Sequence, residues 1–178
     1  LLVCPAATVR LALCALCCAS AGLVAAQKAE PTGPVVLRER FAALQSQADR
    51  NPLGPRLYLQ SSETDNRLQG DVVALVDHPY DAVRAALGRA DPWCGILILH
   101  LNVKYCRAGG GTAKALDMAV GRKFDQPLRD AYWLRLAYRV AVSRDDYLQV
   151  VLEGPSGPMG TRDYLIQVDA VPFDSHRS

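Results

Sequence analysis

The chain is poor in the residues and patterns that carry chemistry. Its three histidines, His78, His100 and His176, stand apart from one another without metal-type spacing, so no metal site is expected. No G-x-G-x-x-G, P-loop or G-x-S-x-G pattern occurs, and no cofactor is expected. Gly109-Gly110-Gly111 reads as a loop, because no Lys-Ser/Thr at a strand-to-helix junction follows it. Clusters of basic residues are missing too. Lys plus Arg total 20 against 18 acids, a net charge of +2. That balance argues against nucleic acid as a partner, since such binding rests on neutralising phosphates. No internal repeat or low-complexity tract interrupts the chain.

What is present begins with an address. In residues 1–26, LLVCPAATVRLALCALCCASAGLVAA, Arg10 precedes an uncharged run, Leu11–Ala26, that closes on Val24-Ala25-Ala26 before polar Gln27 and Lys28. This is the three-part layout of a secretory signal peptide, with cleavage expected after Ala26. The run is shorter than the roughly 20 residues that a spanning helix needs. Cys14, Cys17 and Cys18 lack the Leu-small-small lead of a lipoprotein site. The reading is a periplasmic or secreted protein with no membrane span in the mature chain. The absence of an initial Met suggests a start clipped upstream.

Removing residues 1–26 takes away one cation and four of the six cysteines. Net charge becomes 19 − 18 = +1, and only Cys94 and Cys106 remain. They frame the stretch DPWCGILILHLNVKYC. An exported chain with two cysteines most simply holds one disulfide. A redox pair would be expected as C-x-x-C, and zinc would need further ligands. A single strand over 91–106 would hold the sulfurs roughly 40 Å apart, at about 3.3 Å per residue. A short helix from Pro92 to near Leu101, followed by a strand from Asn102, brings them back together. Its two antiparallel legs advance roughly 9–10 Å and about 13 Å.

Periodicity supplies the remaining elements. Val35–Arg50 has helical spacing at positions 37, 41 and 44, and Asn51–Pro55 stops it. After a polar link, Leu68–Val76 reads as a half-buried strand with Leu68, Gly70, Val72, Ala74 and Val76 on its inner face. Asp77 is expected to cap a helix over Tyr80–Gly88, with Val83, Ala86 and Leu87 inward. Strands are expected at Ala115–Lys123, Tyr132–Val142, Tyr147–Leu152 and Thr161–Ala170, joined by turns at Ser143–Asp146 and Gly154–Pro158. Consecutive strands on tight turns imply an antiparallel meander, and its greasy face needs helices to cover it. The fold class is α+β. The expected organisation is a signal peptide over 1–26, an N-terminal helix and linker over 27–57, and one α+β domain over 58–178.

The order of a strand, two short helices and a long antiparallel meander resembles the START-like helix-grip fold of the SRPBCC, or polyketide cyclase-like, superfamily. The stretches YLQSSE (58–63), VVALVDHPYDAV (72–83), WCGILILHLNVKYC (93–106), GRKFDQPL (121–128) and GTRDYLIQV (160–168) look like those of a group of exported proteobacterial proteins of that type. The resemblance covers about residues 50–178 and carries no activity with it. It implies a further strand and a long C-terminal helix, so a chain ending at VPFDSHRS is expected to be C-terminally incomplete.

Function is read from faces. Leu134, Leu136, Tyr138 and Val140, with Tyr164, Ile166 and Val168, are the expected lining of a cavity between sheet and helix. That cavity would take a hydrophobic small molecule or lipid without chemical change. One alternative is an envelope interaction protein with a closed core. Another is a cyclase- or hydrolase-type enzyme built on His100, Asn102 and Lys104 with Asp163 or Glu153. No catalytic residue is assigned, because nothing fixes a distance between nucleophile and base. Asp77-His78 reads as a cap and turn. Arg135 and Arg139 read as a solvated face, and Trp93 and Trp133 as packing.

Overall fold

A computed structural model describes residues 33–46, 51–109, 114–122 and 125–178. The expected leader, the end of the first expected helix and part of the Gly109–Gly111 loop lie outside them. Among the described residues the chain is α+β, with three α-helices and two antiparallel sheets.

Helix α1 (Pro34–Gln45) starts with Pro in its first turn, where a missing N–H costs nothing. Its Phe41 is buried with Tyr58 and Val73. These two belong to strands β1 (Leu57–Thr64) and β2 (Arg67–Ala74), which pair in full register, Tyr58 opposite Val73. Two corrections to the sequence reading follow. The stretch read as a polar link contains β1. The inner face of β2 is also the opposite one, with Val73 buried while Leu68 and Val72 are 77% and 66% exposed. The cause is the partner strand. Tyr58 is the largest apolar side chain of the ribbon, its face meets Phe41 edge-on at 6.3 Å, and Val73 must share that face. Asp71, on the same side, reaches Arg40 of α1 at 3.3 Å.

Helix α2 (Tyr80–Leu87) begins after Pro79, whose extended ψ of 145° keeps it outside the helix. Asp77 therefore does not cap it and instead pairs with Arg56. Tyr80 is the residue α2 buries, with Val83 and Leu87 half-buried and Ala86 exposed. Helix α3 (Asp91–Leu97) is shorter than expected. Residues 98–102 form turns instead, with Leu99 N–H bonded to Ile96 O and His100 N–H to Leu97 O.

The meander forms as expected. Strands β3 (Val103–Ala108), β4 (Ala115–Val120), β5 (Tyr132–Ser143), β6 (Leu148–Ser156) and β7 (Arg162–Ala170) lie in sequence order, each antiparallel to the next. Alternation gives the sheet an inner face of Leu116, Leu134, Leu136, Tyr138, Leu148, Val150 and Leu152, which packs with Tyr80 of α2 and Trp93 of α3. Disulfide Cys94–Cys106 joins α3 to β3, with Cα atoms 5.2 Å apart. The C-terminal segment returns to the first sheet. Phe173 meets Phe41 at 5.6 Å, and Ser178 exchanges two backbone hydrogen bonds with Val76.

One glycine is set by close approach. A Cβ on Gly157 would lie 2.0 Å from the Tyr164 ring, although its backbone is ordinarily extended. Gly157→Ala should therefore push Tyr164 off its hydrogen bond with Thr161 Oγ1 (2.8 Å). A loss of about 1–3 kcal/mol in urea unfolding is expected, as for other overpacked sites. An unchanged midpoint would show that the ring has room to move.

Candidate functional site

The seven residues expected to line a cavity share the sheet's inner face. Leu134, Leu136 and Tyr138 are buried, and Val140, Tyr164, Ile166 and Val168 are half-buried against the same core. Trp93 packs edge-on to Tyr138 at 6.3 Å. The Trp93 Nε1–H and the Tyr138 hydroxyl both donate to Leu87 O, at 2.8 and 2.9 Å. Among the described residues no buried side-chain polar atom lacks a partner. Burial raises the Tyr80 and Tyr138 hydroxyls above the ordinary value near 10, and the neighbouring Arg84 partly offsets this at Tyr80.

A depression of about 700 Å³ lies on the other face of the same sheet. Its origin is side-chain size. Ala115 and Ala137 are opposite one another on β4 and β5, and Ala119 faces Trp133. Small side chains form the floor, and long ones around them form the walls. Trp133, 51% exposed, leans on Tyr105 of β3 with centroids 5.4 Å apart. Register then builds a charge row across three strands, because Asp117 of β4 lies opposite both Arg107 and Arg135. The contacts are 3.8 and 3.7 Å, so one carboxylate serves two guanidiniums. Glu153 of β6 pairs with Arg139 at 3.3 Å. Exposed pairs of this kind add little stability and remain available to another molecule. Beyond them, Asp169 of β7 accepts hydrogen bonds from Tyr147, Gln149 and Gln167.

The catalytic candidates are not brought together. His100 lies in the turn after α3, where its Nδ1 accepts from Asn102 N–H at 3.2 Å. Asp163 and Glu153 belong to β7 and β6, across the sheet from β3. Among the described residues no group of three or more His, Cys, Asp or Glu has metal-site geometry, and no helix is long and apolar enough to cross a membrane. The outer depression was missed from sequence because Arg135 and Arg139 look like a solvated face. The signal was the alternation of Trp133, Arg135 and Ala137, which register alone turns into a patch. No family model matches this chain, nor does any curated protein or solved structure.

Proposed function

We propose that this chain is an exported interaction domain that recognises a protein partner on the open face of its five-stranded sheet and leaves that partner chemically unchanged. The observation that carries this is the contrast between the two faces. The inner one is filled by fully buried Leu116, Leu136, Leu148, Val150 and Leu152. The outer one is concave and presents Trp133, Tyr105, Arg107 and Arg135 around Asp117. Trp, Tyr and Arg are the side chains that dominate binding energy at protein interfaces. The disulfide supports export, since such bonds persist in oxidising compartments. A meander backed by two short helices is compatible with a helix-grip arrangement and supports the START-like reading.

One observation favours a second reading, a hydrophobic small molecule or lipid held between sheet and helix. Tyr164, Ile166 and Val168 on β7 are only half-buried. Native mass spectrometry of protein isolated from its own envelope fraction separates the two. A protein partner that Trp133→Ala weakens at least tenfold, with melting temperature unchanged, supports the outer face. A small apolar adduct that persists in Trp133→Ala supports the inner one. A partner held equally well by Trp133→Ala and Arg135→Ala removes the proposal.

A further inference from the structure

Single exposed aliphatic residues on a protein surface are ordinary, but a cluster of them is not. Four large aliphatic side chains stand in solvent at the end of α3 and in the turn that leads to β3. Leu99 is 80% exposed and Leu101 59%, and Ile96 and Ile98 are each 45% exposed. An exposure of 80% means that Leu99 projects from the surface and is not seated in a groove. Its neighbours Trp93 and Leu97 point the other way, into the core.

The turn is tied down by bonds within the chain. Cys94 and Cys106 tie its two ends together. Inside the turn, Val103 N–H bonds to His100 O at 2.9 Å, and Ile98 N–H to Cys94 O at 3.1 Å. The connection after β4 braces it from outside, where Gly121 N–H donates to Asn102 O at 2.8 Å. A loop already ordered loses little entropy when it binds.

The charges nearest the turn are mainly positive. From Pro92 to Leu116 the sequence contains no Asp or Glu. Lys104 follows the turn directly, whereas Arg107 pairs with Asp117 on the outer sheet face and Lys114 lies at the far end of the β3–β4 hairpin. Exposed Arg122 follows Gly121 beside the turn. Asp91, at the start of α3, pairs with Arg89, and Asp117 lies on the outer sheet face between two arginines. Asp125 is the nearest carboxylate in the connection after Arg122.

From these observations we infer that residues 96–101 are a membrane-docking tip: Ile96, Ile98, Leu99 and Leu101 enter the interfacial layer of an anionic bilayer, with Lys104 and Arg122 beside the headgroups. A protruding apolar turn needs a pocket in a protein partner, whereas a bilayer receives it without one. The flanking cations match anionic headgroups. Such a contact lies on the membrane and does not span it, and it is weak and reversible. It is independent of the sheet-face reading, because Trp133 and the tip belong to different surfaces.

The test is co-sedimentation of the full, oxidised chain with vesicles of phosphatidylethanolamine and phosphatidylglycerol, against vesicles of phosphatidylcholine alone. The expected result is binding to the anionic vesicles that falls with added salt and falls at least roughly tenfold in Leu99→Asp/Leu101→Asp, a loss of about 1.4 kcal/mol. Both positions are exposed, and a melting temperature like that of the parent chain verifies the fold of the variant. Met159→Asp, at another fully exposed apolar site, should bind like the parent chain. Trp133→Ala should do the same. Binding to the anionic vesicles that survives in Leu99→Asp/Leu101→Asp belongs to another part of the chain and overturns the proposal. Equal binding to both vesicle types overturns it as well. So does a concentration-dependent dimer that Leu99→Asp/Leu101→Asp dissolves, since the tip would then serve a second copy.

Discussion

Reducing the Cys94–Cys106 disulfide lowers the melting temperature by roughly 6–12 °C. The bond spans 12 positions in sequence. Closing a loop of that size removes about 3 kcal/mol of chain entropy from the unfolded state. At this chain length each kcal/mol corresponds to about 2–4 °C. The native state gives the bond a second role. Strand β3 is an edge of the five-stranded sheet, and α3 is stapled to it, so reduction loosens a helix packed against that edge strand. Cys94→Ala/Cys106→Ala should reproduce the shift. Either single variant should show the same loss together with disulfide-linked dimers. The region that starts at β1 should titrate no free thiol before reduction. A thiol of low pKa at Cys94, or metal in the purified protein, would contradict the staple and restore redox or metal chemistry as the reading.

That staple was legible because geometry limits it: a helix and a returning strand are a simple way for residues 94 and 106 to meet. The meander was legible for a related reason. In β5 and β6 one set of alternate residues is mostly Leu, Val and Tyr, while the other contains Arg135, Arg139, Gln149 and Glu153, so period and face are fixed together. The first sheet was harder to read. LYLQSSET hides a strand because six of its eight residues are exposed, and only Tyr58 reports which side is buried. With β1 unread, the alternation of Leu68 and Val72 on β2 selected the wrong face. A two-stranded ribbon against one helix buries a single face, chosen by its largest aromatic and not by the count of aliphatics. The outer depression was illegible for yet another reason. Ala115 and Ala137 carry no signal singly, and they become a floor only when register sets them opposite one another. Composition shows what a strand buries; pairing shows what its open face can hold.

The second large effect is expected at Leu87 O, the carbonyl that ends α2. The last carbonyls of a helix have no partner within it, and here two side chains of the core supply donors, Trp93 from α3 and Tyr138 from β5. Trp93→Ala should cost about 3–5 kcal/mol, since it removes a buried indole as well as one donor. Tyr138→Phe should cost only about 1 kcal/mol, because the indole N–H still holds the carbonyl. Combining Tyr138→Phe with Trp93→Phe should cost more than the sum of the two single changes, since only the double variant leaves Leu87 O with neither donor. Urea unfolding of the four proteins measures this, and strict additivity would show that water replaces the donors freely. The pH dependence has a definite sign. Desolvation raises the Tyr138 hydroxyl above 10, while the neighbouring Trp93 indole N–H acts in the opposite direction. The unfolded chain therefore ionises first. The Tyr138 contribution to stability is complete below about pH 10 and is lost as pH climbs through the raised value. Tyr80, shifted the same way mainly by burial, adds to that alkaline loss. Tyr138→Phe should flatten the fall in stability above pH 10 without abolishing it. A variant whose alkaline profile overlays that of the parent chain would place the titration elsewhere.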